Sequence, residues 1–212
     1  MFSIESITKK MSNVISEELN LDNNKKQVLN YGGFAIVHIF ISITLTIILG
    51  LIFNVVVEAL ILSFSISILR KFSGGVHAST PNNCLILGNF VCIFCAIIVK
   101  FVIIGNVAEP NLIYLDLLGF LWCYYILYNL SPIDNPNKPL RNKKKKLALK
   151  KKSIITVVVY QSIVLIMVLY SPNELVGYST ALLLGALWQC FTLTNPCFKV
   201  ITTLDSFLNK LF

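Results

Sequence analysis

The chain has 212 residues, of which 56% are hydrophobic and 13% charged, and its formal net charge is +8. Ordinary soluble proteins carry roughly a quarter of their residues as charges, and a soluble core of this size cannot hide so much apolar surface, whereas a bilayer takes it. The Lys and Arg residues cluster in sequence, which reads as membrane topology rather than as a nucleic-acid surface.

Residues 1–30 hold no continuous apolar run of the kind a cleavable signal peptide needs, so insertion is expected to begin with the first true span. Within them Ile4, Ile7, Met11, Val14, Ile15 and Leu19 recur at helical spacing, with Lys9, Lys10, Glu17 and Glu18 among the polar positions. This pattern predicts an amphipathic helix on the inner leaflet. A span needs about 20 mainly apolar residues. Gly32–Leu69 is long enough for two, with a break around Gly50–Glu58. Cys84–Gly105 makes a third, Asn111–Leu130 a fourth, Ser153–Tyr170 a fifth and, after the turn Ser171–Glu174, Leu175–Thr194 a sixth. In the tail, residues 195–212, Val200, Ile201, Leu204, Phe207, Leu208 and Leu211 predict a second amphipathic helix. The expected fold is all-α: one integral-membrane domain over residues 1–212, with about six transmembrane helices and an amphipathic helix at each end.

Charge falls on alternate loops. Lys9, Lys10, Lys25 and Lys26 precede the first span, and Arg70 and Lys71 follow the second. Lys138, Arg141, Lys143–Lys146 and Lys150–Lys152 follow the fourth, and Lys199 and Lys210 lie in the tail. The intervening loops hold Glu58, Glu109 and Glu174 without Lys or Arg. The positive-inside rule therefore puts both termini, the 70–83 loop and the basic 131–152 loop in the cytosol. His38, within the first span, reads as a satisfied interior residue, and Lys100 and Asp116, at similar depths, as a pair or as outward-snorkelling groups. The six cysteines lie mostly in or beside apolar runs, and Cys92-x-x-Cys95 has no second ligand pair at zinc spacing, so neither a metal nor a disulfide framework is indicated.

The informative stretch is Arg70-Lys-Phe-Ser-Gly74-Gly75-Val-His77-Ala-Ser-Thr80-Pro81-Asn-Asn83-Cys84. Gly74-Gly75 permits backbone conformations closed to other residues. Thr80-Pro81 reads as a helix start, N-cap followed by Pro at the first position. Cys84 then falls in the first turn, where the helix dipole favours thiolate. On one helix His77 and Cys84 would be about 10 Å apart along the axis, but the Gly-Gly loop lets the imidazole fold back toward the sulfur, the arrangement a cysteine nucleophile requires. On residue types alone, structural roles for both remain the commoner outcome.

The segment Arg70–Cys84, with Gly74-Gly75, His77, Pro81 and Cys84-Leu85, resembles the signature of the AgrB family of accessory gene regulator proteins. Ser131-Pro-Ile-Asp134-Asn-Pro-Asn-Lys138-Pro139 resembles that family's Pro-rich loop ending in Asn-Lys-Pro, with a basic run behind it. The resemblance covers nearly the whole chain. It implies a cysteine endopeptidase of the bacterial cell membrane that processes an AgrD-type quorum-sensing propeptide, without cofactor. Cys84 would be the nucleophile and His77 the general base. The acyl-enzyme formed when the C-terminal tail leaves would be captured by a Cys or Ser of the peptide, closing a thiolactone or lactone. Arg70 would bind a substrate carboxylate or stabilise developing charge, or else hold the headgroups. Gly75, with Gly74, would meet a backbone requirement. Asn83, Asp134 and Glu58 are candidates for a third catalytic member, and backbone N–H groups at the third span's start for an oxyanion hole. The basic run, with Lys138, Arg141, Lys143 and Lys144, would meet anionic lipid or dock an acidic propeptide tail. The family further implies a homodimer. The rival reading is a non-catalytic peptide transporter or docking protein, in which the same loop is a gate; no Walker A pattern or internal repeat supports it.

Overall fold

The computed structural model describes every residue except 1–3, 20, 104–108, 134–141, 171 and 212, and the backbone alone of 4–7, 109–113, 172–174 and 211. All regular structure among the described residues is helical, and the chain divides into two compact units, residues 1–45 and 46–212.

The first unit holds α1 (Ile4–Glu18) and most of α2 (Asn23–Ile52). Met11, Val14 and Ile15 are exposed on α1, and Leu19 just after it, as a helix lying against lipid requires. Asp22 starts α2, its Oδ1 accepting the Lys25 N–H at 3.0 Å, so the helix begins well before the apolar run at Gly32. His38 lies beside the Phe34 ring, the centroids 5.8 Å apart.

In the second unit α2 ends where the sequence places a break. Asn54 takes a positive φ of 55°, and α3 (Val56–Ser73) follows. After α4 (Pro81–Ile97), which continues as a π-helical turn over Ile98–Ile103, come α5 (Glu109–Leu130), α6 (Lys143–Tyr170), α7 (Pro172–Phe191) and α8 (Asn195–Leu211). As far as they are described, the expected spans fall on α2, α3, α4 with its π-helical turn, α5, α6 and α7, except residues 192–194, which follow α7. Among the described residues three helices are by themselves long and apolar enough to cross a bilayer, α2, α4 with its π-helical turn, and α6, and the chain bends by 88° between α7 and α8. The protein is thus an all-α membrane protein.

Helix α7 is the hub, packed on α3, α5 and α6. Between helices in lipid, close packing supplies what hydrophobic burial supplies in water, so small residues mark the contacts. Ser179, Thr180, Ala181 and Ala186 of α7 are buried, and a Cβ at Gly185 would overlap the Ser65 hydroxyl of α3. The Tyr160 hydroxyl of α6 donates to Ser65 O at 2.9 Å, tying the third helix to the same point.

Two expectations are corrected. Lys100 pairs with Glu58, Nζ to Oε1 at 3.7 Å, and donates to Asn54 O, rather than meeting Asp116. Depth alone made Asp116 the candidate, but α4 packs chiefly on α3, while α5, which carries Asp116, packs on α6 and α7. The 131–152 segment is not loop throughout: from Lys143 it is the first part of α6, capped by Asn142, whose Oδ1 accepts the Lys144 N–H at 2.9 Å. Ten helical residues carry α6 about 15 Å beyond the expected start of its apolar run.

Candidate active site

The end of α3 is set by two glycines. Gly74 has φ 72° and Gly75 φ 138°, values that L side chains rarely adopt. Space excludes a side chain as well: a Cβ on Gly74 would lie 2.5 Å from Ile133 O, and one on Gly75 2.6 Å from Thr192 Oγ1. The strap so formed is held from both sides. Gln189 Nε2, at the end of α7, donates to Gly74 O at 2.7 Å and to Ser73 Oγ at 3.0 Å. Val76 N–H donates to Thr192 O at 3.2 Å, and Ile133 N–H to Ser73 O at 3.0 Å. The two separate sequence motifs therefore meet, since Ile133 of the Pro-rich loop closes one side of the Gly-Gly strap. Asp134, Lys138 and Arg141 lie outside the described residues.

Arg70 sits one turn back on α3 and turns toward the strap instead of outward. Its Nη2 donates to Val76 O, and its Nε is buried without a partner. Burial lowers the guanidinium pKa, while the electrostatic influence of Cys84 and then Cys197 works the other way. Arg70 thus stands within electrostatic reach of Cys84 and also of His77, whose pKa is lowered from 6.5 to about 4, first by desolvation and then by the Arg70 charge. His77 is itself exposed at the surface of the strap. The expected approach of imidazole to thiol is incomplete: both groups lie within electrostatic reach of Arg70, but no hydrogen bond joins His77 to Cys84 in this structure.

The helix start is as expected. Thr80 is the N-cap, its Oγ1 accepting the Asn83 N–H at 3.2 Å; Pro81 follows, and the Cys84 N–H reaches Thr80 O at 3.1 Å. The Asn83 and Cys84 N–H groups are therefore already engaged, which removes both from the expected oxyanion hole. Cys84 and Cys95 are half-buried and Cys92, Cys123, Cys190 and Cys197 buried; Cys95 lines an open apolar crevice of about 360 Å³ with Trp122, Trp188 and Phe191. Burial pushes the Cys197 thiol up to about 11, against a smaller opposing effect of Arg70.

Helix α8 supplies contacts that sequence reasoning missed. Asn83 Nδ2 donates to Asp205 Oδ1 and to Asn209 Oδ1, each at 2.8 Å. The Ser79 N–H donates to Asp205 Oδ2 at 3.0 Å, and Asn209 Nδ2 to Ser79 Oγ at 3.1 Å. Hydrogen bonds, that from Asn83 foremost, hold the Asp205 carboxyl below its ordinary range. On an amphipathic tail a lone Asp gives no signal. Gln189, wholly buried at the end of an apolar run, does give one, because polar groups at such depth need a reason. Glu58 lies at the far end of α3, about 18 Å along the axis from Arg70, and is held by Lys100, so it takes no part in this cluster.

Lys143 and Lys144 are exposed on the first turn of α6. The lysines nearer the strap are further along: Lys152 Nζ lies 5.9 Å from the Phe72 ring centre, as Lys71 Nζ does at 6.0 Å, and Lys150 Nζ stands 4.2 Å over Tyr128.

Residues 8–193 match the accessory gene regulator B family. An AgrB-like protein 2 of Clostridium perfringens strain 13 is 36% identical over 98% of this chain and 99% of its own length. An AgrB-like protein of C. perfringens strain SM101 matches to the same extent. An AgrB-like protein of Listeria monocytogenes is 23% identical over 63% of this chain and 59% of its own. No solved structure is significantly similar to the chain. A match over this much of the chain, on a membrane scaffold that joins both signature motifs at one strap, means that the protein belongs to the AgrB family, and with it to agr quorum sensing.

Proposed function

We propose that this protein is a membrane-embedded cysteine endopeptidase that removes the C-terminal tail of an AgrD-type propeptide and, through a thioester on Cys84, permits ring closure. The carrying observation is that Cys84, alone among the cysteines, is half-buried at a helix N-terminus within reach of a guanidinium. That is the electropositive, partly open setting of a reactive thiol. His77, neutral at pH 7, takes the thiol proton, and the thiolate attacks the peptide carbonyl. Arg70 Nε, a buried donor without a partner, faces the developing oxyanion. The C–N bond breaks, the leaving amine takes the proton from His77, and the acyl group stays on Cys84. A peptide Cys or Ser then attacks the thioester, giving thiolactone or lactone and freeing the Cys84 thiol. His77 closes on Cys84 when substrate fills the site, since catalytic hydrogen bonds are often long without it.

Six crossings with both termini and the strap on the cytosolic side, as the charge alternation requires, give the site access to a ribosomally made peptide. The lysines from 143 to 152 face anionic headgroups or the propeptide's acidic tail, and two chains associate as a homodimer. The test is turnover of the cognate propeptide by the protein in lipid, with products weighed by mass spectrometry. Wild type should release the tail, Cys84→Ala should not, and His77→Ala should be slowed by about 10²-fold or more. Intact propeptide bound equally by all three would instead support a docking or transport protein.

A further inference from the structure

We propose that Asp205 is a positioning residue for the reaction, holding both the nucleophile and the base from the C-terminal helix; this rests on the peptidase reading above. The segment between the strap and α4 is fixed at two places. Upstream of His77, the Val76 N–H is held by Thr192 O at 3.2 Å. Downstream, the Ser79 N–H is held by Asp205 Oδ2 at 3.0 Å. His77 and Ala78 bridge these two points. The other Asp205 oxygen takes the Asn83 amide at 2.8 Å, one residue before Cys84. A single carboxylate therefore sets the chain beside the imidazole and the helix turn that carries the thiol.

The chemistry asks for a carboxylate in particular. Both oxygens face donors, so an amide in either orientation would turn an NH₂ toward an N–H already there. Asn209 completes the ring, accepting from Asn83 at 2.8 Å and donating to Ser79 Oγ at 3.1 Å. Asp205 is the only acidic residue on α8. It is buried on that helix together with Cys197 and Ile201, while Phe198, Val200, Leu204 and Phe207 are exposed. A charge on the buried side of a helix, beside Cys197 and Ile201, is retained only against partners such as these. The chain bends by 88° after α7, and hydrogen bonds from Ser79 and Asn83 tie α8 beside the site.

The experiment uses full-length protein in lipid nanodiscs, comparing wild type with Asp205→Asn, Asn209→Ala, Asn83→Ala and the Asp205→Asn/Asn83→Ala pair. Two readouts are taken: amide hydrogen exchange over residues 79–84, and kcat and KM for the propeptide. Asp205→Asn should quicken exchange there by at least about tenfold and lower kcat by about 10–100-fold with KM within about threefold, as misplacement of reacting groups does. The double variant should lose less than the two single losses combined, because the two changes share the Asn83–Asp205 bond. Unchanged exchange, or quickened exchange with unchanged kcat, overturns the assignment. If Asp205→Asn does not fold, Asn209→Ala, which keeps the carboxylate, must show the same pattern at smaller size, and a wild-type pattern there overturns it. A wild type that leaves the propeptide uncut, with exchange still quickened by Asp205→Asn, overturns the peptidase reading and leaves α8 as a purely structural brace.

Discussion

Replacing Gly75 by alanine puts the strap to a quantitative test. At φ 138° an L residue sits in a region reserved almost wholly for glycine, at a cost of about 1–3 kcal/mol. The new Cβ would also lie 2.6 Å from Thr192 Oγ1 and 3.3 Å from Gln189 Nε2. Relief requires the strap to move off the end of α7, which breaks the Val76–Thr192 and Gln189–Gly74 hydrogen bonds, at 3.2 and 2.7 Å. Each contributes about 1 kcal/mol net. The local cost is therefore about 3–5 kcal/mol, and because the strap carries Val76 and His77, most of it falls on the population of the reactive arrangement. At 1.4 kcal/mol per tenfold, turnover should drop by at least about 100-fold. The helices pack without the strap, so the thermal midpoint in nanodiscs should move by only a few degrees. Propeptide turnover and a melt on the same sample decide the matter. Turnover within about threefold of wild type would refute the reasoning, and so would equal loss in Ser73→Ala, which leaves the Gly74–Gln189 bond in place.

Further expectations follow from other contacts. His77 must be neutral to accept a proton, and its pKa is lowered from 6.5, so the base is lost only as pH falls through the lowered value. Most of the turnover should therefore persist at pH 5.5, where an ordinary imidazole is about nine-tenths protonated; an acid limb centred near 6.5 would contradict the effect of burial and of the Arg70 charge on His77. A water-soluble maleimide should label Cys84 first and leave Cys84→Ser nearly unlabelled, because the other thiols are buried or line an apolar crevice. Glu58→Ala and Lys100→Ala should show a coupling of about 0.5–1 kcal/mol in a double-mutant cycle read by melting, and Asp116→Asn should show none with Lys100. Gly185→Ala should lower stability by about 1–3 kcal/mol through overpacking against Ser65, with recovery in the Ser65→Gly background.

The helical segments were legible because apolar runs of about 20 residues have few alternatives. The cap at Thr80-Pro81 and the demand for glycine at 74 and 75 were equally plain, since both are local chemistry. Neighbours were not. Which helix faces Lys100 depends on α4 packing against α3, and every apolar span offers a similar surface. Ile133 against Gly74, Gln189 and Thr192 against Gly75, and Asp205 against Asn83 all join residues more than 50 positions apart. Periodicity carries no record of such pairs. The tail showed its amphipathic character but not that its buried face meets the helix bearing Cys84.

The central claim is a thioester on Cys84. The most direct test incubates the protein in lipid with a propeptide whose ring-closing residue is replaced by alanine, so that no intramolecular nucleophile resolves the adduct. Intact-mass measurement should then show one acyl fragment per chain, lost on hydroxylamine treatment and mapped to Cys84, together with an equivalent of free tail. An adduct on another cysteine, or tail release with no adduct and undiminished in Cys84→Ala, would contradict it.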